Sequence, residues 1–335
     1  MPVQLGRTGL RVSRLCLGTM NFGDVTELDE ASSICDRALD AGVFFWDTAD
    51  MYGAGASEEM VGRLMRGRRQ QVVLATKAWA PMGPGPNDRG LSARHLVQAC
   101  DASLSRLRTD WIDLYYMHLP DRSVPIHETL RAMEDLVRSG KVRYVACSNY
   151  FAWEVVDLLR VATRHDWSPV VAGQNPYNLL NRQLEYEFIP MARRHGLGVV
   201  TYSPLARGVL TGKYAGGTAP PGSRLHRKNQ RFLEAEWRSE SLPVAERFAQ
   251  VAAEAEVAPA TLATAWVLAN QRVHSAVIGP RTTAQLEQYL AAADLEWTPA
   301  LEAACDQLVA PGTATGDTVP DPAYFPVRGR VVEGA

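Results

Sequence analysis

At 335 residues with a formal net charge of -2, the chain is long enough to bury a sizeable core, and 46% hydrophobic against 21% charged residues is the balance of a folded globular protein. Lysine and arginine are spread rather than massed, the densest basic run (residues 63–69) falling at a helix end, so composition speaks against a nucleic-acid groove or an anionic membrane surface as partner. Five cysteines without a Cys-x-x-Cys pair argue against a zinc site or a disulfide framework; no apolar signal core follows the first charge and no run reaches the roughly 20 apolar residues of a membrane helix, which makes the cytoplasm the default compartment.

In chain order, VQLGRTGLRV alternates around Gly6 and Gly9 as a small hairpin. A short strand over 15–18 precedes a helix over 29–40 closed by Gly42. The next strand, 43–47, is an apolar run of high β-propensity that stops abruptly at Asp47. Its loop carries Tyr52, and Ser57-Glu58-Glu59 reads as the N-cap and acidic first turn of a helix ending near Gly67. Strands over 72–77, 112–118, 142–148 and 170–174 then end in Lys77, His118, Ser148 and Gln174, with helices predicted over 92–107, over 126–139 closed by Gly140, and over 184–195 closed by Gly196. A seventh strand, 198–203, leads into residues 204–242, a stretch containing AGGTAPPGSRLHRKNQR that is too long for an ordinary connection and reads as a functional loop or lid. An eighth strand over 277–279 and helical material over 299–309 precede a tail rich in proline and glycine.

Eight strand-then-helix units predict an α/β fold of the (β/α)8 TIM-barrel type, with an N-terminal hairpin and extra C-terminal helices, rather than an open doubly wound sheet. The absence of a composition break predicts a single domain over 1–335.

In such a barrel, polar residues at the C-terminal ends of different strands converge on one mouth. Lys77 is the most telling, because VVLATK places an ammonium at the end of a buried strand, where desolvation is costly unless a carboxylate pairs with it. Asp47 is the candidate partner. A tyrosine beside that ammonium has its phenolate stabilised, which suits Tyr52 to proton transfer, and His118 could orient a carbonyl oxygen or share the phenol's proton. Each residue also has an ordinary explanation: Asp47 as a cap, Tyr52, Tyr202 and Met20 as packing, His118 as a core histidine, Arg281 and Lys213 as solvated charges. Their joint placement favours chemistry over those readings. Histidine, aspartate and glutamate show no metal-ligand spacing, and no G-x-G-x-x-G follows a strand.

Taken together, DTADMYG, LATK, DLYYMHLPD, GKVRYVACSN, GQNPYNLLNR and YSPLARGVLTGKY, framed by LGTMNFG and VIGPRTTAQLE, closely resemble the aldo-keto reductase superfamily over nearly the whole chain. The resemblance implies NADP(H)-dependent carbonyl reduction without a metal, with Asp47, Tyr52, Lys77 and His118 matching the family's catalytic tetrad. It also implies cofactor contacts from Gly18, Thr19, Met20 and Asp47; from Ser148, Asn149 and Gln174 on the carboxamide; and from Tyr202 as platform for the nicotinamide. Ser203, Pro204, Leu205, Gly208 and Lys213 match the pyrophosphate loop, Arg224 falls where it could clamp the adenosine side, and Gly279, Arg281, Gln285 and Gln288 match adenosine-phosphate positions, Arg281 suiting a 2′-phosphate. The sequence departs from the family pattern at Tyr289, where Asn is usual, and at Gln288, where an acid is common. Met20, Phe22, Trp79 and Tyr150 are the candidate substrate-pocket residues for a small-molecule carbonyl.

Three rival functions differ in class. One is an NADPH-sensing regulatory module like the channel-associated β-subunits of the same fold, which carry Asn where this chain has His118. The second is a Schiff-base enzyme using Lys77, which the paired Asp47 disfavours by keeping the ammonium charged. A metal-dependent hydrolase is the third and lacks ligands. Composition is silent on oligomeric state.

Overall fold

The computed structural model describes residues 2–316. Eight parallel strands close into a barrel in chain order: β3 (Leu15–Gly18), β4 (Phe45–Asp47), β5 (Val73–Ala78), β6 (Ile112–Met117), β7 (Val142–Ser148), β8 (Val170–Pro176), β9 (Gly198–Tyr202) and β10 (Ser275–Ile278), which pairs back onto β3. The earlier β1 (Val3–Gln4) and β2 (Arg11–Val12) form the expected antiparallel hairpin outside the barrel. Six helices separate successive barrel strands from β3 to β9: α1 (Leu28–Asp40), α2 (Ala56–Leu64), α3 (Ala93–Leu107), α4 (Ile126–Arg138), α5 (Ala152–His165) and α6 (Phe188–His195). Between β9 and β10 lie α7 (Gln230–Ala235), α8 (Ser241–Glu254) and α9 (Pro259–Ala269); α10 (Thr283–Ala291) and α11 (Pro299–Leu308) follow. This is the (β/α)8 barrel that the strand rhythm predicts, with the extra C-terminal helix.

Alternation of side chains along each strand divides the barrel into an inside and an outside. Cys16, Phe45, Ala75, Leu114, Tyr116, Ala146, Ala172 and Val200 share one buried cluster with Leu5 and Val12 of the hairpin, so these residues fill the interior and the hairpin plugs its lower end. Residues of the opposite parity, among them Leu17, Trp46, Leu74, Tyr115 and Val199, pack outward beneath the helices. Two residues further along each strand, interior parity delivers Asp47, Lys77, His118, Ser148, Gln174 and Tyr202 to the upper rim. The site is therefore a property of strand register.

The plug depends on close backbone approach. Gly6 has φ +56°, and a Cβ there would lie 2.5 Å from the Gly196 carbonyl oxygen. Gly6→Ala is expected to lower stability by about 1–3 kcal/mol through this overpacking, read as a fall in Tm.

Several elements differ from the sequence reading. The helix expected behind an N-cap at Ser57 begins earlier, at Ala56 behind Gly55. The Ser57 hydroxyl donates to the Thr19 carbonyl at 2.8 Å and meets the Thr48 hydroxyl at 2.9 Å, so it ties α2 to the strand ends instead of capping. Glu58 and Glu59 do lie in the first turn of α2, and Glu58 is fully buried there. The helix expected from residue 184 starts at Phe188, because Glu185 is engaged by Arg182 and by the Tyr177 hydroxyl in a preceding 3-10 turn. In the long stretch after β9, residues 206–211 and 215–217 form 3-10 turns, and Phe232 of α7 is pinned between Tyr214 and Trp237 at ring distances of 5.5 and 5.6 Å. No single helix among the described residues is long and apolar enough to cross a membrane.

Candidate active site at the upper rim of the barrel

Lys77 is the centre of the rim. Its side chain is fully buried, and its ammonium pairs with Asp47 Oδ1, donates to the Thr48 carbonyl at 2.7 Å and donates to the Tyr52 hydroxyl oxygen at 3.3 Å. All three N–H donors of the ammonium are thereby used. Burial alone would lower the pKa of Lys77, but the Asp47 carboxylate and the Tyr52 oxygen outweigh it and hold the group above the ordinary lysine range. Asp47 is fixed in turn, its second oxygen accepting from Gln174 Nε2 at 2.8 Å. Because Lys77 donates to the phenol oxygen, the Tyr52 proton is directed to another acceptor. The His118 ring stands edge-on to Tyr52 with centroids 6.0 Å apart.

Beside this cluster, Asn149 adopts φ +64°, a left-handed conformation that Asn tolerates better than most residues. That turn lets its amide donate to the His118 carbonyl at 3.0 Å and the Ser148 hydroxyl at 2.9 Å while its Oδ1 accepts from the Tyr202 hydroxyl at 2.7 Å. The Ser148 hydroxyl and the Asn149 N–H both donate to the Gln174 carbonyl, at 2.9 and 3.0 Å. Ser148, Asn149, Gln174 and Tyr202 thus form one hydrogen-bonded wall joining the ends of β6, β7, β8 and β9.

Beyond Tyr202 the chain turns sharply. Ser203, Ala206, Arg207 and Gly208 all have positive φ; the Gly208 N–H donates to the Leu205 carbonyl at 2.8 Å, and Pro204 is buried between them. A Cβ on Gly208 would sit 2.6 Å from Lys213 Nζ, so glycine leaves the room that the ammonium occupies. Around it gather Arg224, which donates to the Arg207 carbonyl at 3.0 Å, and Arg281, which donates to the Gly222 carbonyl at 3.2 Å. Burial, then Arg224 and Arg281, push the Lys213 pKa down to about 8. Burial, with Arg207 next, also lowers that of Arg224. Cations that destabilise one another in this way are a donor set matched to an anion with several oxygens.

These features have counterparts in known proteins. Residues 14–310 match the model of the aldo/keto reductase family. The chain belongs to this family. It is 43% identical to the uncharacterized oxidoreductase YrpG of Bacillus subtilis, over 87% of this chain and 90% of that protein. A probable voltage-gated potassium channel subunit beta of Oryza sativa is 39% identical with the same coverage. The L-glyceraldehyde 3-phosphate reductase of Escherichia coli K12 is 34% identical over 92% of each chain.

Within this aldo/keto reductase the remaining predicted positions are distributed unevenly. Gly18 lies against β10, where a Cβ would meet Val277 Cγ1 at 2.7 Å, and the Thr19 N–H donates to the Asp47 carbonyl at 2.9 Å. Gly279 is exposed, Gln285 Oε1 accepts from the Arg281 N–H at 2.9 Å, and Gln288 is exposed, its carbonyl bonded by Thr261 at 2.9 Å. Tyr289, the departure from the family pattern, is buried in the outer core; burial raises its pKa to about 12, against the pull of Arg224. Of the four candidate pocket residues, Met20 is 46% exposed and Trp79 is half-buried. Phe22 is different: it is fully buried in the outer core with Leu17 and Trp46, because the turn after β3 folds it beneath α1. Tyr150 is buried too, its hydroxyl turned to Met117 Sδ at 3.9 Å. Neither offers a free face to a ligand in this conformation.

The sequence reading passed over Thr48, whose carbonyl holds Lys77, and the contact of Gln174 with Asp47. The first is a backbone group and carries no residue signal. Interior parity at positions 47, 77 and 174 could have suggested the second. Arg207 was also missed, being one more arginine in a loop of ordinary charge.

Proposed function

We infer that this oxidoreductase reduces an aldehyde or ketone carbonyl with NADPH, the tyrosine of the rim acting as general acid. The observation that carries the reading is the fully buried Lys77, paired with Asp47 and donating to the Tyr52 hydroxyl. NADPH, when bound, supplies hydride to the carbonyl carbon. Tyr52 gives its proton to the substrate oxygen, and the adjacent ammonium stabilises the phenolate that remains. Asp47, steadied by Gln174, keeps Lys77 charged and in place. His118, whose ring faces Tyr52, orients the carbonyl oxygen, and a substrate would enter past Met20 and Trp79.

Support for the cofactor comes from the same face. Ser148, Asn149, Gln174 and Tyr202 offer amide, hydroxyl and ring surface to a carboxamide-bearing ring, and Lys213, Arg224 and Arg281 would hold phosphate oxygens. Arg281 is the residue read against a 2′-phosphate. Arg281→Ala is expected to weaken NADPH binding by about 1.5–3 kcal/mol, the worth of a hydrogen bond to a charged group, and NADH binding far less. Paired fluorescence titrations with the two nucleotides measure this.

Consumption of NADPH over a panel of aldehydes, ketones and keto sugars tests the function itself, turnover with at least one class being the expected result. The second reading is a cofactor-sensing module, which the likeness to a probable potassium channel subunit beta supports. Tight NADPH binding without turnover on any member of the panel, together with stoichiometric co-purification of a membrane protein, would favour it.

A further inference from the structure

Behind the wall that carries Lys77 and Tyr52 lies a second buried cluster with an odd number of charges. Beyond β4 the chain continues along β5, the Thr48 N–H donating to the Ala75 carbonyl at 2.9 Å and the Asp50 N–H to the Lys77 carbonyl at 3.1 Å. Alternation therefore turns Asp47 inward and sends Thr48 and Asp50 outward, toward α2. There Glu58 of α2, fully buried, accepts from the Thr76 hydroxyl of β5 at 2.5 Å and from Arg106 of α3 at 2.7 Å. Asp50 is also fully buried, and neither of its carboxyl oxygens has a hydrogen-bond partner among the described side chains. The groups facing it are Glu58 from α2, Arg106 from α3, Lys77 from β5 and, from β6, Tyr115, whose hydroxyl is likewise buried without a partner.

One guanidinium serves two carboxyl groups in this cluster, since Lys77 is already neutralised by Asp47. Charge balance in a buried volume is reached when Glu58 is ionised against Arg106 and Asp50 carries a proton. We propose that Asp50 is a positioning residue that works as a neutral carboxylic acid, keeping a second negative charge out of the wall behind the Tyr52 loop. Two residues before Tyr52, it anchors the loop in its buried register. Loss of its proton would place a carboxylate beside Glu58 and near Lys77. That charge opposes formation of the Tyr52 phenolate and favours opening of the loop to water. Reduction and loop stability then decline together as Asp50 ionises.

The direction of titration agrees. Burial, followed by the Glu58 charge, raises the Asp50 pKa to about 7, against the Met51 backbone, Arg106 and Lys77. The folded form thus holds a proton that the unfolded chain gives up near pH 4, so stability falls as pH rises from about 4 to 7 and levels off above.

Asp50→Asn fixes the neutral state in nearly the same shape. Its Tm is expected to match that of the wild type at pH 5 and to exceed it at pH 8, and the alkaline limb of kcat/KM for carbonyl reduction to move up by at least one pH unit. Glu58→Gln should remove the same fall by another route: Arg106 is released to pair with Asp50, which then ionises at low pH, and the fall in Tm between pH 4 and 7 disappears. An Asp50→Asn protein with the same Tm offset at both pH values and an unmoved alkaline limb would overturn the proposal. Should Asp50→Asn not fold, persistence of the acidic-range fall in Tm in Glu58→Gln overturns it equally. The kinetic arm rests on the reductase reading. If the wild type turns over no carbonyl, that reading fails, whereas the Tm comparison still decides whether Asp50 holds its proton.

Discussion

Tyr52→Phe is expected to lower kcat/KM for carbonyl reduction by about 10²–10⁴-fold, the usual contribution of a positioned general acid. The reasoning is geometric. The Tyr52 oxygen accepts from Lys77 at 3.3 Å, which favours the phenolate that proton transfer leaves behind, and phenylalanine retains the ring against His118 while removing the proton. NADPH affinity should stay near that of the wild type, since the basic cluster of Lys213, Arg224 and Arg281 lies on another part of the rim. Stability should fall by about 1–3 kcal/mol, because one N–H of the buried Lys77 ammonium loses its acceptor while the other two keep Asp47 and the Thr48 carbonyl. Steady-state kinetics beside a nucleotide titration separate the two effects. A Tyr52→Phe enzyme that turns over at the wild-type rate would remove the phenol from the mechanism.

The second large effect falls on Lys77. Lys77→Met keeps the stem volume and deletes the ammonium, leaving the Asp47 carboxylate buried with Gln174 as its remaining side-chain donor. Breaking one side of a buried pair typically destabilises by about 3–5 kcal/mol. Denaturant titration of the two proteins reads this. Activity should fall at least as far as in Tyr52→Phe, since the phenol loses its stabilising cation and the cluster its centre. Asp47→Asn with Lys77 intact gives the complementary case: an uncompensated buried ammonium, and stability that improves at high pH as Lys77 loses its proton.

Much of this arrangement was legible in the chain because barrel register is legible. Apolar runs that end in a polar residue or glycine mark all eight strands, and alternation from Phe45, Ala75, Ala146, Ala172 and Val200 leads directly to Asp47, Lys77, Ser148, Gln174 and Tyr202. Other features leave weaker marks. The helix α9 is apolar on every face, being buried all round, so it has no amphipathic period to detect. At the start of α5 there is no Ser, Thr, Asp or Asn at the cap, only Phe151 with Glu154 reaching back to its N–H at 2.9 Å. Phe22 and Tyr150 follow strand ends, as Met20 and Trp79 do, and only the path of each loop decides which side chains face a ligand and which join the core. Glu58 illustrates the same limit in reverse. In sequence it is one of two acids in a first turn, and in the fold it is a buried partner of Arg106.

The central claim is that hydride and proton reach a carbonyl at this rim, the proton from Tyr52. Its most direct measurement is transfer of deuterium from NADPH labelled at the nicotinamide C4 to the product, with wild type and Tyr52→Phe run side by side on a carbonyl that the panel identifies. The account predicts label on the carbinol carbon with wild-type protein and a product yield that collapses in Tyr52→Phe although NADPH remains bound. Tight NADPH binding with no label transferred to any carbonyl, or label transferred equally well by Tyr52→Phe, would contradict it.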